Sequence, residues 1–439
     1  MKRFFLLILS LLTCVHHASC QVFDEHFSDS TLRLDYIFAG DNKSQHIFFH
    51  QAYSMPIWAG RKSRLSEKFL NGNGQITVRD PETKDTLYIS TFSTLFQEWQ
   101  TEEEATKVKK SFENSYLVPF PRKPVEITIT LTDTHQKVSS ELTHIINPQD
   151  ILIEQLKSNP YPQKYLLHSG DVSSCVDIAI LSEGYTLSEM DKFHKDSQRA
   201  VDAIFSHEPF KSMKSKFNVV AIDFPSQESG PSIPHDGIWT TSPLGVHYDT
   251  FYVDRYLMTS RMWAIYDALS CVPFEHIIVL VNSSKYGGGG IYNQINVSTS
   301  DHYTFKEVLV HEFGHGYGGL GDEYYYDDQY ETKYPSDTEP WEPNLTTLVD
   351  FSSKWADMLP QGTEIPTTPT VISATNRKSK LAIQNKLTQK VGVFEGGGYQ
   401  SKGVYRPAQE CRMKVNEVEK FCPVCTRALI QITDFYTAQ

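Results

Sequence analysis

The sequence predicts a chain of mixed α and β structure in two parts, an N-terminal β-sandwich followed by a layered α/β unit. Three observations carry that expectation. Residues 22–147 alternate short β-type runs with turn signals, as in LRLDYIFAG, GQITVRD and VEITITLTD, which is the spacing of a sandwich. The pattern changes at NPQDILIEQLKSNPYPQ, beyond which apolar runs such as CVDIAILSEGYT and EHIIVLVNSS alternate with helical periodicity, the order of an α/β layer. Finally, 439 residues with 40% hydrophobic content are enough for two or three domains, each with a buried core.

Taken in order, residues 1–20 read as a secretory signal peptide, with Lys2 and Arg3 before an apolar run from Phe4 to Leu12. That run is too short for a hydrocarbon core of ~30 Å, and no later segment is long enough. Cleavage after Cys20, with Ala18 and Cys20 in the small-residue positions, gives a secreted, periplasmic or cell-surface protein. A lipid anchor on Cys14 or Cys20 is the alternative. The sandwich then occupies 21–147, interrupted by a short exposed helix in EWQTEEEATKVKKSFENS, and the second domain occupies 148–439. In that domain LSEMDKFHKDSQRAVDAIF and YDTFYVDRYLMTSRMWAIYDALS read as helices, and FNVVAIDFPS reads as a strand. After Tyr324 the chain turns irregular, in the manner of loops that line a cleft.

The formal charge is −12. An acidic surface repels phosphates, and no Lys/Arg run interleaved with aromatics appears, so nucleic acid is not an expected partner. Five cysteines lie beyond residue 20, an odd number for an oxidising compartment.

The chemistry concentrates in HEFGHGYGGLGDEY, residues 311–324. Thr304 and Glu307 form a capping-box pattern ahead of it, so TFKEVLVHEFGHGYG is expected to be a helix. At ~100° per residue, His311 and His315 fall on one face, one turn apart, the spacing at which two imidazoles share an ion. Glu312 beside them is placed to take a proton from a zinc-activated water and pass it to a leaving amine. A third ligand cannot lie on the same helix, because Asp322 would then be about 16 Å from His311 along the axis. Gly316, Gly318, Gly319 and Gly321 permit the chain to turn back instead. That is the metzincin pattern, His-Glu-x-x-His-x-x-Gly-x-x-His or Asp. Here its last position is Gly321, with Asp322 and Glu323 one and two residues late. Asp322 is the first assignment, with Glu323 or an acid from elsewhere as alternatives. Met413, in QECRMKVNE, has the position of a Met turn beneath the zinc.

HEFGHGYGGLGDEY together with EPWEPNLTT, VGVFEGGGYQSKGVYRP and ECRM…FCPVC resembles the IgA peptidase family of metzincin-type zinc metalloendopeptidases. LRLDYIFAGD and the β-rich region after it are similar to that family's N-terminal domain. The resemblance implies a zincin-like (metzincin) catalytic domain, one catalytic zinc, a Glu base, secretion, and a protein or peptide substrate. It does not imply that the substrate is immunoglobulin A. A zinc amidase acting on cell-wall peptides, and a non-catalytic protein- or glycan-binding protein on a protease scaffold, are the rival readings.

Several further residues are candidates. Gly288, Gly289 and Gly290, in KYGGGGIYNQINVS, mark either an edge strand that pairs with extended substrate backbone or a flexible hairpin loop. Tyr405 and Arg406 are candidate oxyanion donors. His235 and His247, with Asp236 and Asp249, are a weak candidate for an accessory metal. Cys411, Cys422 and Cys425 cluster without an adjacent His. Three thiolates fall short of the four ligands of a structural zinc, so a disulfide from Cys411 to Cys422 or Cys425 is expected to pin the Met413 loop to the last helix.

Overall fold

A computed structural model describes residues 22–326 and 333–438; the expected signal peptide and the lipidation candidates Cys14 and Cys20 lie outside the described residues. The N-terminal part is a sandwich of two four-stranded sheets. One orders Lys110–Pro121, Phe27–Gly40, Gln45–Met55 and Glu154–Gln155; the other orders Thr86–Phe92, Gly74–Arg79, Val125–Thr132 and Val138–Ile146. Leu32, Leu34, Tyr36 and Phe38 from the first sheet meet Ile76, Val78, Ile127 and Ile129 from the second in a closed core. Glu154–Gln155 pairs with Tyr53 and Ser54, so the chain returns to the sandwich once more after residue 147.

The second part is built on a six-stranded sheet ordered Gly288–Ile291, Ile295–Thr299, His276–Val281, Val176–Glu183, Phe217–Ile222, Gln163–Leu167. Its four inner strands are parallel and the two outer ones antiparallel. Every residue of Val176–Glu183 is buried, as expected of a parallel strand covered on both faces. Alternation sorts these residues between two layers. Val176, Ile178 and Ile180 face a helical layer formed by Met190–Ile204, Phe305–Gly316 and Pro423–Thr437. Ala179 and Leu181 face the opposite way, into a core continuous with that of the sandwich. Each fully buried Leu or Ile contributes about 1.5–3 kcal/mol, so this shared core fastens the two domains. Arg33 adds a buried link, gripped by Asp35 at 2.7 Å and by Asp267 of the second domain at 2.7 Å.

Three local expectations need correction. Only Met262–Ala268 of the expected long helix is α-helical; Asp249, Phe251 and Tyr252 have positive φ and His247 pairs with Met258 in a bridge, geometry a helix excludes. In the Glu/Lys-rich piece the expected exposed helix shrinks to a single 3-10 turn, Glu103–Thr106; the mostly buried α-helix Leu95–Trp99 overlaps only its first two residues, and SFENS belongs to the strand Lys110–Pro121, where Phe112 and Asn114 are buried. At Thr304 the capping box does not form: the hydroxyl bonds His302 Nδ1 at 2.7 Å instead. Among the described residues no helix is long and apolar enough to cross a membrane.

Candidate metal centre

The helix Phe305–Gly316 ends as its glycines dictate. Gly319 takes φ +60°, its N–H donates to the His315 carbonyl at 2.9 Å, and the Leu320 N–H donates to that of Gly314 at 3.1 Å. This is an αL cap, in which a left-handed residue reverses the chain. Asn344 holds the reversal, accepting from the Gly321 N–H at 2.7 Å and donating to the Gly321 carbonyl at 2.9 Å.

The reversal brings Asp322 beneath the two histidines. Asp322 Oδ1 lies 3.0 Å from His311 Nε2 and 3.2 Å from His315 Nε2, and the two Nε2 atoms are 3.1 Å apart. Each ring is tied at its far side: His311 Nδ1–H donates to the Arg412 carbonyl at 3.0 Å and His315 Nδ1–H to the Leu320 carbonyl at 2.5 Å. With Nδ1 protonated, Nε2 presents a lone pair. Without a metal a proton must sit among these atoms, and, although burial opposes it, the Asp322 carboxylate accordingly raises the His315 imidazole to about 9. A metal cation takes the same place and meets two lone pairs and a carboxylate oxygen. The spacing suits zinc, because bonds of ~2.0–2.1 Å in a tetrahedron separate the ligand atoms by about 3.3–3.4 Å. Glu323 points away, toward Cys425 Sγ at 3.1 Å.

Around these ligands the structure adds groups that local sequence did not single out. The Tyr399 hydroxyl donates to Asp322 Oδ2, and burial pushes the Tyr399 phenol well above its usual range, so it stays a donor. Tyr324 lies near the ring of His311, and Arg255 sits over Tyr324 while donating to the Tyr326 hydroxyl at 2.8 Å. Tyr399 lies within VGVFEGGGYQSKGVYRP, yet nothing local distinguished it from its neighbours. We expect Tyr399→Phe to weaken zinc affinity by about 10–100-fold, the usual effect of losing an outer partner of a ligand. Competition against a zinc chelator measures this, and an unchanged Kd would remove Tyr399 from the site.

Met413 is fully buried under the helix, and a Cβ on Gly314 would meet its Sδ at 2.8 Å. Gly288–Ile291 forms the edge strand of the sheet, and its glycines are needed by the helix that crosses it. A Cβ on Gly290 would lie 2.5 Å from the Glu312 carbonyl, one on Gly288 would lie 2.9 Å from Glu312 Oε1, and one on Gly289 would press on Tyr256 and Met258. Gly288 also spends its outward groups on Arg255 and Leu257; by alternation Gly290 is the next residue facing outward. Gly290→Ala forces backbone against backbone, so we expect it to cost about 1–3 kcal/mol. Denaturant titration measures the loss, and an unchanged midpoint would refute the close approach.

The remaining candidates fall outside this group. The Tyr405 backbone pairs with Thr346, and its ring lies beside Glu395 and Lys402 rather than in the cleft. Arg406 Nη1 donates to the carbonyls of Glu395 and Gly396. His235 and His247 join no ligand cluster among the described residues. The expected disulfide is absent: Cys411 and Cys425 sulfurs are 3.8 Å apart and all three cysteines are free, against ~2.05 Å for a bonded pair.

A cleft of about 940 Å³ opens over the ligands and is walled by both domains. Gln97, Glu98 and Thr134 of the sandwich face His311, Glu312 and Tyr399 of the second domain, and Glu98 accepts from the Tyr256 hydroxyl at 2.5 Å. Glu312 sits at its base without a hydrogen-bond partner among the described residues; burial raises its carboxyl above the usual range, while the two imidazoles beside it pull it back.

Comparison with protein-family models matches two parts of the chain. Residues 22–143 match the Peptidase M64 N-terminus, and residues 165–383 and 370–433 match IgA Peptidase M64. No curated protein matches.

Proposed function

Because the chain belongs to the IgA peptidase M64 family, we propose that it is a secreted zinc endopeptidase whose cleft takes extended protein chains between its two domains. The observation that carries this reading is the meeting of His311 Nε2, His315 Nε2 and Asp322 Oδ1 at the foot of a cleft, with a free carboxylate beside them. Zinc held there supplies Lewis acidity, polarising the scissile carbonyl and lowering the pKa of the attacking water. Glu312 takes that water's proton and delivers it to the departing amine; its raised pKa makes it the stronger base for the first of these transfers. Arg255 and Tyr286 line the cleft within the electrostatic reach of Glu312 and are placed to stabilise negative charge on the carbonyl oxygen, in place of Tyr405. Gly290 offers its outward backbone groups to the substrate chain.

Peptide profiling by mass spectrometry on a mixed protein substrate, with and without chelator and beside cell-wall peptides, tests the proposal. We expect chelator-sensitive cuts within protein chains. Cuts confined to cell-wall peptides would establish the amidase reading, and an inert protein with its zinc in place would establish the non-catalytic one.

A further inference from the structure

We propose that Glu323, Cys411, Cys422 and Cys425 form a second metal centre, a structural zinc site that braces the catalytic ligands from behind. One ligand atom from each of the four lies within 4.8 Å of all the others, and all four side chains are fully buried. The 3.8 Å between Cys411 and Cys425 sulfurs is the edge of a tetrahedron whose zinc–sulfur bonds are ~2.3 Å. Glu323 completes the set, with Oε1 3.1 Å from Cys425 Sγ, and it supplies the fourth ligand that the sequence did not reveal. Among the described residues its buried Oε2 has no hydrogen-bond partner, a costly state for a carboxylate in the absence of a cation.

The backbone is arranged for thiolates. Cys422 caps the last helix, its sulfur accepting the Cys425 N–H at 3.5 Å, while the Cys411 sulfur accepts the Cys422 N–H at 3.2 Å. Cys-x-x-Cys at a helix start is zinc-ligand spacing, and the helix N-terminus favours the charged sulfur. Three thiolates and a carboxylate around a divalent ion leave net negative charge, and Arg406, Arg412 and Lys414 act on members of the cluster from around it. Binding expels the thiol protons to solvent and transfers no electrons. A disulfide between any two of the cysteines would instead strand the third thiol beside a buried carboxylate.

The two centres share their peptide segments. Glu323 adjoins Asp322, and its N–H donates to the Met413 carbonyl at 2.8 Å. The carbonyl of Arg412, next to Cys411, fixes the ring of His311. An ion joining Glu323 to Cys411 therefore locks the two stretches that orient catalytic ligands.

The test is elemental analysis of the full secreted chain and of the His311→Ala/His315→Ala double variant, whose first site is disabled. We expect two zinc ions per wild-type chain and one in the double variant. Cobalt loading of the double variant should give a thiolate-to-cobalt charge-transfer band that Cys422→Ser removes. X-ray absorption on wild-type protein, independent of any variant, should show sulfur neighbours at ~2.3 Å. Zinc with only nitrogen and oxygen neighbours, or an intact mass showing a disulfide among the three cysteines, would overturn the inference. Should the catalytic reading alone be wrong, wild type and double variant would each carry the single thiolate-bound ion.

Discussion

Glu312→Ala should leave both the fold and the zinc content of the protein intact while lowering kcat by about 10²–10⁴-fold, the range spanned by a positioned general acid–base group. Glu312 follows His311 directly on the helix Phe305–Gly316, so the turn that aims the ligand also aims the base. It is not a ligand itself, and no residue depends on it for a hydrogen bond, so its removal has no structural cost comparable to its catalytic one. KM should change little, because a proton shuttle acts in the transition state rather than in substrate binding. Glu312→Gln separates size from charge and should be as inactive as Ala. A variant that keeps its zinc and a tenth or more of wild-type turnover would end the assignment of Glu312 as base.

Asp322→Ala should remove one zinc ion per chain and, with it, activity by more than about 100-fold, exceeding the loss caused by an outer partner alone. The left-handed cap at Gly319 delivers this carboxylate to His311 and His315 at 3.0 and 3.2 Å. Without it two imidazoles remain, one ligand short of a protein-held catalytic zinc. Excess zinc should restore only part of the activity, since the site no longer orients the ion. Retention of the full zinc content in Asp322→Ala would show that another acid completes the site, which was the alternative left open by the sequence.

Much of this was legible in the primary structure because it depends on local rules. Two histidines a turn apart, a glutamate between them and a glycine run that breaks the helix are all consequences of helical geometry and backbone freedom. The strands 176–183, 217–222 and 276–281 were legible because burial on both faces leaves near-continuous apolar runs. What escaped depended on distant partners. Tyr399 reaches Asp322 from 77 positions away, and Asn344 clamps Gly321 from 23, with no local pattern to mark either. The expected helix through residues 248–270 failed because left-handed residues and a backbone bridge interrupt a stretch whose side chains alone suit a helix. Glu323 was weighed only against Asp322 for one ion, since nothing in the sequence places it among cysteines about a hundred residues later. The glycines of 288–290 were read as room for a substrate, whereas the active helix occupies much of that room.

The shared walls of the cleft bear on how such an enzyme diversifies. Gln97, Glu98 and Thr134 belong to the sandwich, yet they line the same cleft as His311, His315 and Asp322. On the function proposed above, recognition therefore draws partly on a stretch of the gene separate from the one that encodes the metal ligands. Drift in the sandwich loops can change which proteins fit while leaving the ligand helix untouched, so two such enzymes with identical metal ligands can have no substrate in common.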